Sequence, residues 1–217
     1  MSKVSYMSAH YIDKKEMGWL MKSTTETSKK PERDLCLIAM FVGTPCYMLD
    51  LNRVQIGDVL TRGGKLIKSF KIRGDAGFNG EPREVYVSSP ELRKRLNTYL
   101  DWRVENGVGL GDHPDYYRGL DSDLPLFDFA ITFKQVGKKR TYAAGSLGRH
   151  IKNLLRDGGI EEPSVLSGRR TFAITLHLKG FDIAHINHLL GNKTLETTKK
   201  LLIANPIDMG AIAANAF

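Results

Sequence analysis

The chain has 217 residues, 41% of them hydrophobic and 26% charged, which is enough for the core of one large domain. Its longest apolar-rich stretch, 35–42, falls far short of the ~20 residues of a membrane span, and residues 1–10 carry no apolar run behind Lys3, so neither a span nor a signal peptide is expected. Thirty-two Lys+Arg against 24 Asp+Glu give a net charge of +8, a balance that favours polyanions because each neutralised phosphate releases counterions. Cys36 and Cys46, with no C-x-x-C and no disulfide-dense pattern, point to a reduced, cytoplasmic setting.

Residues 1–12 have no clear period and predict a mobile arm, placed at 1–10 in the domain division, ahead of one domain over 11–217. Met17, Leu20 and Met21 predict a short helix with Asp13 as its N-cap, and 24–30 reads as a polar connector. Pro31 opens a stronger helix with Leu35, Ile38, Ala39 and Val42 on one face, broken at Gly43-Thr44-Pro45. Met48, Leu49 and Leu51 mark a second short helix. Val59-Leu60 and 65–73 then read as strands, with Leu66, Lys68, Phe70 and Ile72 on one face and Lys65, Ile67, Ser69, Lys71 and Arg73 on the other. A glycine-rich turn over 75–80 leads into a returning strand at 83–87.

Pro90 begins a helix through Leu92, Leu96 and Leu100, and 106–123 is a long Gly- and Asp-rich loop. The run 124–129 reads as a short apolar strand. Helices follow over 144–156, 169–178, 182–190, 194–203 and 209–216, with Gly180 and Gly191 as stops. Helices, a β-hairpin and more helices make an α+β fold, mainly helical.

Three segments in the second half carry the chemistry. Leu166-Ser167-Gly168-Arg169 opens a helix, Leu190-Gly191-Asn192 follows about twenty residues later, and Thr197-Thr198-Lys199-Lys200-Leu201 comes next. Spacing and residue types resemble the catalytic domain of the tyrosine recombinases (phage integrases), in which H-x-x-R, L-G-H and T-T-x-x-Tyr recur in that order. The resemblance covers roughly 11–217 and implies the tyrosine-recombinase catalytic-domain fold with a small antiparallel hairpin. It also implies two arginines and a lysine on a scissile phosphate, an assisting histidine and an attacking tyrosine. The family's first arginine segment, T-G-x-R-x-S-E-L-L-x-L, aligns with Val42 to Leu51, which puts Thr44 at the arginine and Tyr47 at the glutamate. Leu166 and Asn192 stand where the histidines belong, and Leu201 stands at the nucleophile. Arg169 survives, and Lys68 or Lys71 matches the hairpin lysine. Four changed positions together imply a degenerate, catalytically inactive member. Tyr47, Tyr116, Tyr117 and Tyr142 are the candidate relocated nucleophiles, and none is near Leu201 in sequence. The separate helical domain that clamps the duplex in the family has no room in residues 1–10.

Read as cations for a duplex, Arg169 and Arg170 sit at a helix start that favours an anion, with Glu161 or Glu162 as alternative partners for Arg169. Lys68, Lys71 and Arg73 lie along the hairpin, which the resemblance places on the minor-groove side. Arg149, Lys152 and Arg156 fall at i, i+3 and i+7, one basic helix face; the resemblance places the corresponding helix in the major groove, where arginine or lysine can read guanines and phosphates. Lys138, Lys139 and Arg140 feed that helix. His177, His185 and His188 have no cysteine and no acid at ligand spacing, so no metal and no cofactor is expected.

The resulting expectation is a double-stranded DNA-binding protein that is not an enzyme. It would serve as a transcriptional regulator of a plasmid, phage or integrative element, cytoplasmic and nucleoid-associated. An accessory or architectural factor for an active recombinase is the alternative within the binding class. A recombinase with a relocated nucleophile is the alternative enzyme. Expected partners are DNA, transcription machinery or an active recombinase, and a second copy through 206–217, whose Ile207, Met209, Ile212, Ala213 and Phe217 keep helical spacing after Asn205-Pro206.

Overall fold

A computed structural model describes residues 9–72, 83–127, 134–136, 139–141 and 145–203, and at 134–136, 139–141 and 203 the backbone alone. The expected turn at 75–80, the helix at 209–216 and the tail 206–217 lie outside the described residues, as do residues 1–8 of the expected arm.

Residues 9–12 are not mobile chain but packed chain. Ala9 and Ile12 are buried, and the Ile12 amide donates to Thr171 Oγ1 at 3.0 Å. Helix α1 (Lys14–Thr27) starts on a reciprocal cap, Glu16 N to Asp13 Oδ1 and Asp13 N to Glu16 Oε2. It runs past the expected connector boundary because the hydroxyls of Thr24, Thr25 and Thr27 donate back to carbonyls four residues earlier, keeping those polar residues inside the helix.

Helix α2 (Pro31–Gly43) starts at the proline as its sequence predicts. Every residue from Asp34 to Phe41 is buried, so it has no solvent stripe. It packs against α1, α3 (Met48–Arg53), α5 (Pro90–Glu105), α6 (Gly145–Asp157) and α7 (Ser167–Leu178), which makes it the central helix of the main core.

The expected strand at Val59-Leu60 is instead the end of a one-turn helix, α4 (Ile56–Val59). Asp58 Oδ2 accepts the Gln55 amide at 2.9 Å and closes that turn, leaving Leu60 a single bridge to Leu66. The hairpin is β1 (Ser69–Ile72) against β2 (Arg83–Tyr86), antiparallel, with Ser69 opposite Tyr86 and Ile72 opposite Arg83. Phe70, Ile72, Val85 and Val87 bury one face; Lys71, Glu84 and Tyr86 are exposed on the other.

The described part of the expected 124–129 strand makes only an isolated bridge, Pro125 to Gln55. Proline has no amide to donate, and buried Arg103 takes the Pro125 and Leu126 carbonyls at 2.8 and 3.0 Å, so no ladder extends. The long loop before it is pinned down. Arg118, at φ 62°, reaches Gly64 O, Asp101 and Asn97. A second short hairpin, β3 (Lys134–Val136) with β4 (Lys139–Thr141), precedes α6.

A second apolar cluster joins α7 to α8 (Ile183–Leu190) and α9 (Leu195–Ile203) through Ala173, Ile174, Ile186, Leu190, Leu201 and Leu202. Gly168 lets α7 lie directly on α2, since a Cβ there would collide with the Phe41 carbonyl oxygen. Gly191 ends α8 at φ 63°, as the stop at that position predicts.

Candidate functional site

Residues from α3, α7, β2 and the N-terminal segment meet at Tyr47, the residue before α3. Its amide donates to Asp50 Oδ2 at 2.7 Å, its ring packs with Leu166 and Ala9, and it is 7% exposed. The Arg169 guanidinium from α7 lies over the ring with Cζ 3.9 Å from the centroid, and Arg83 from β2 approaches the same ring at 5.4 Å. Arg83 reaches there by passing its stem across Gly191 and ends in an ion pair with Asp50, whose side chain is fully buried. Burial pushes the Arg83 guanidinium below its usual range, although a paired arginine keeps its charge at any physiological pH.

Arg169 is 1% exposed. It donates to the Pro45 carbonyl, to Leu190 O at 3.0 Å and to Asn192 Oδ1 at 3.0 Å. Asn192 Nδ2 in turn donates to Thr198 Oγ1 at 2.9 Å, and Thr198 donates to Asn187 Oδ1 at 2.7 Å. In this conformation the Arg169 guanidinium meets carbonyl and amide acceptors from within the protein. The alternative partners Glu161 and Glu162 are exposed, away from that interior position. Arg170 is 4% exposed and donates to the Ala9 carbonyl, which ties down the N-terminal segment.

The other matched positions are filled from within. Thr44 is fully buried, with Oγ1 donating to Met40 O at 2.6 Å. Leu166 is 8% exposed against Tyr47. Leu201 is 1% exposed in the α7–α8–α9 cluster. Of the expected cations, Arg149, Lys152 and Arg156 are all exposed on α6, opposite buried Leu147, Ile151, Leu154 and Leu155. Arg149 and Lys152 border an open groove of about 470 Å³ floored by Met48, Gly148 and Val165. Lys68 and Lys71 are exposed on and beside the hairpin. Lys139 and Arg140 are on β4; Arg73 and Lys138 lie outside the described residues.

Sequence reasoning missed Arg83, the hairpin cation that does reach Arg169's surroundings. Tyr47 is distant from Leu201 in sequence, yet among the described residues it is the tyrosine that packs against Arg169; Tyr142 lies outside the described residues.

No protein-family profile and no curated protein matches the chain. Solved structures do. The chain is similar to XerA recombinase at 21% identity and TM-score 0.66, over 95% of this chain and 64% of that one. It is similar to XerH site-specific recombinase bound to a palindromic difH substrate at 17% and 0.64, over 95% and 53%. A lambda integrase (75–356) dimer bound to a COC′ core site matches at 14% and 0.57, over 95% and 62%. The chain thus spans between half and two thirds of the recombinases it matches. The likeness establishes the tyrosine-recombinase catalytic-domain fold expected from the three motif segments.

Proposed function

We propose that this chain grips double-stranded DNA without cutting it and acts as a transcriptional regulator carried by a plasmid, phage or integrative element. One observation carries the reading: Leu201 lies in the core at the position matched to the attacking phenol, while Arg169 is closed over by Tyr47. A leucine side chain has no lone pair to attack phosphorus. A phosphodiester also needs its cationic fork open to its non-bridging oxygens.

A duplex as ligand is supported by the exposed Arg149, Lys152 and Arg156 face, by the net charge of +8, and by neighbours of the same fold that are bound to DNA, including XerH on difH and the Tn1549 integrase on a circular intermediate. Pairing of two copies through 206–217 belongs to the same reading. Mapping bound sites across a host genome tests the regulator: enrichment at promoters is expected, and binding only at recombination sites would favour an accessory factor. A suicide substrate tests the missing chemistry, because a covalent protein–DNA adduct would overturn it.

A further inference from the structure

We propose that the groove beside α6 selects a thymine, seating its C5-methyl on Met48 and Val165 while Lys152 donates to its O4. The inference rests on the duplex reading above and names what one part of the basic face reads. Arg149 and Lys152 stand exposed on the rim of a groove of about 470 Å³, over a floor of Met48, Gly148 and Val165. The groove adjoins the matched centre: Met48 follows Tyr47, Val165 precedes Leu166, and Tyr47 and Leu166 pack together. Its floor is apolar, with Met48 7% exposed, Val165 half-buried against the main core and Gly148 adding bare helix backbone. A Cβ at Gly145, on the groove wall, would meet nothing within 4 Å, and one at Gly148 would meet only Val165 Cγ1 at 3.4 Å. Internal packing therefore requires neither glycine, and both keep the helix surface low beside Arg149.

The side chains that line this groove offer strong donors and no strong acceptor. Arginine and lysine only donate, valine does neither, and a methionine sulfur accepts weakly. In the major groove, cytosine N4 and adenine N6 present donors, which would face the two cations unmatched and lose water over an apolar floor. Guanine presents O6 and N7, and thymine presents O4 beside a methyl group. Thymine alone answers both halves of the groove, with an acceptor for a cation and a methyl for the floor. The planar fork of Arg149 suits the paired O6 and N7 of guanine, and the point charge of Lys152 suits the single O4 of thymine. The site read is a thymine beside a guanine.

The test uses the full chain and a duplex that it enriches from a random pool, with binding followed by fluorescence anisotropy at fixed salt. Each thymine is replaced in turn by deoxyuridine, which removes the methyl and keeps every hydrogen-bonding group. At one or two positions the replacement should weaken binding about fourfold, the worth of one buried methyl, with the salt slope unchanged. Val165→Thr keeps the shape of the floor but sets a hydroxyl in it, and there the loss should shrink to about twofold or less. Gly145→Leu, at an exposed position, fills the groove without entering the core; it should weaken the selected duplex and erase the difference between thymine and deoxyuridine. A duplex bound with sequence preference but with no methyl-sensitive thymine would overturn the proposal and leave the duplex reading standing. A methyl effect of equal size in wild type and both variants would also overturn it, because the methyl would then be read elsewhere. Absence of binding to any duplex at low salt would remove both.

Discussion

His150 Nε2 donates to Asp34 Oδ1 at 2.8 Å, a bond that clasps the basic helix α6 to the central helix α2. Asp34 is 2% exposed and also accepts from Arg33 Nε at 2.8 Å and Ser28 Oγ at 2.6 Å. The exposed face of Arg149, Lys152 and Arg156 is therefore positioned by a buried carboxylate on another helix.

Removing that carboxylate should be costly. Asp34→Ala leaves Arg33 and His150 without their shared acceptor, and losing one partner of a buried pair costs about 3 kcal/mol. His150→Ala, which leaves Asp34 two of its partners, should cost about 1 kcal/mol. Urea unfolding of both variants checks the order; a neutral Asp34→Ala would show that α6 is held by its apolar face alone.

The same carboxylate sets an acid limb. Burial pushes the Asp34 carboxyl up, and the hydrogen bonds from His150, Arg33 and Ser28 outweigh it, so it lies below its usual value in the folded protein. A depressed folded value means stability that is fully present above the unfolded carboxyl's pKa of about 3.9 and lost as pH falls through the folded one. Unfolding free energy measured from pH 6 downward should drop below about pH 4, and Asp34→Asn should flatten that drop. An unchanged acid limb in the variant would remove Asp34 from the account.

Duplex binding should be strongly salt-dependent. Among the residues whose side chains are described, Lys68, Lys71, Arg149, Lys152 and Arg156 are the expected cations that stand exposed, and Arg169 and Arg170 donate to internal carbonyls. If those five each meet a phosphate, log affinity should fall against log salt with a slope of about −4 to −5. Fluorescence anisotropy between low and moderate salt gives the slope directly. A slope near zero would sink the proposed DNA contact.

The two cation groups should separate by what they read. Arg149→Ala and Lys152→Ala should lower discrimination between a specific and a random duplex, because the proposed reading sets their exposed helix face against base edges. Lys71→Ala should weaken all duplexes evenly, because backbone contacts carry no base identity. Competition titrations decide, and equal losses for all three would make α6 an anchor and not a reader.

What the sequence could and could not reveal follows range of interaction. Pro31 opening α2, the alternation at Phe70 and Ile72, the Gly180 and Gly191 stops and the exposed basic face of α6 are all local patterns, and all are present. The burial of Arg169 and Arg170 was invisible because their acceptors, Pro45 and Ala9, are 124 and 161 residues away. Arg83 and Asp50 are 33 residues apart and meet only through the fold. Arginine at a helix start reads as solvent-facing unless the carbonyls that satisfy it are known. Asp58, which turns the expected strand at Val59 into α4, acts within three residues, yet an isolated Gln-x-x-Asp spacing is too weak to outweigh two apolar residues in a row.

Restoring a tyrosine by Leu201→Tyr alone should yield no strand cleavage. Leu201 is 1% exposed among Ala173, Ile174, Ile186 and Leu190, so a tyrosine there forces a phenol into a packed cluster at a cost of about 1–3 kcal/mol. Even if the hydroxyl reached solvent, Thr44 would supply no guanidinium, and Arg169 would still donate to Pro45, Leu190 and Asn192 beneath Tyr47. Each missing transition-state donor costs on the order of a hundredfold in rate. A denaturing gel of the variant with a nicked suicide duplex should show no covalent adduct, while its thermal midpoint should fall by several degrees. An adduct from Leu201→Tyr would mean that the centre opens on DNA and that the other positions still suffice for cleavage.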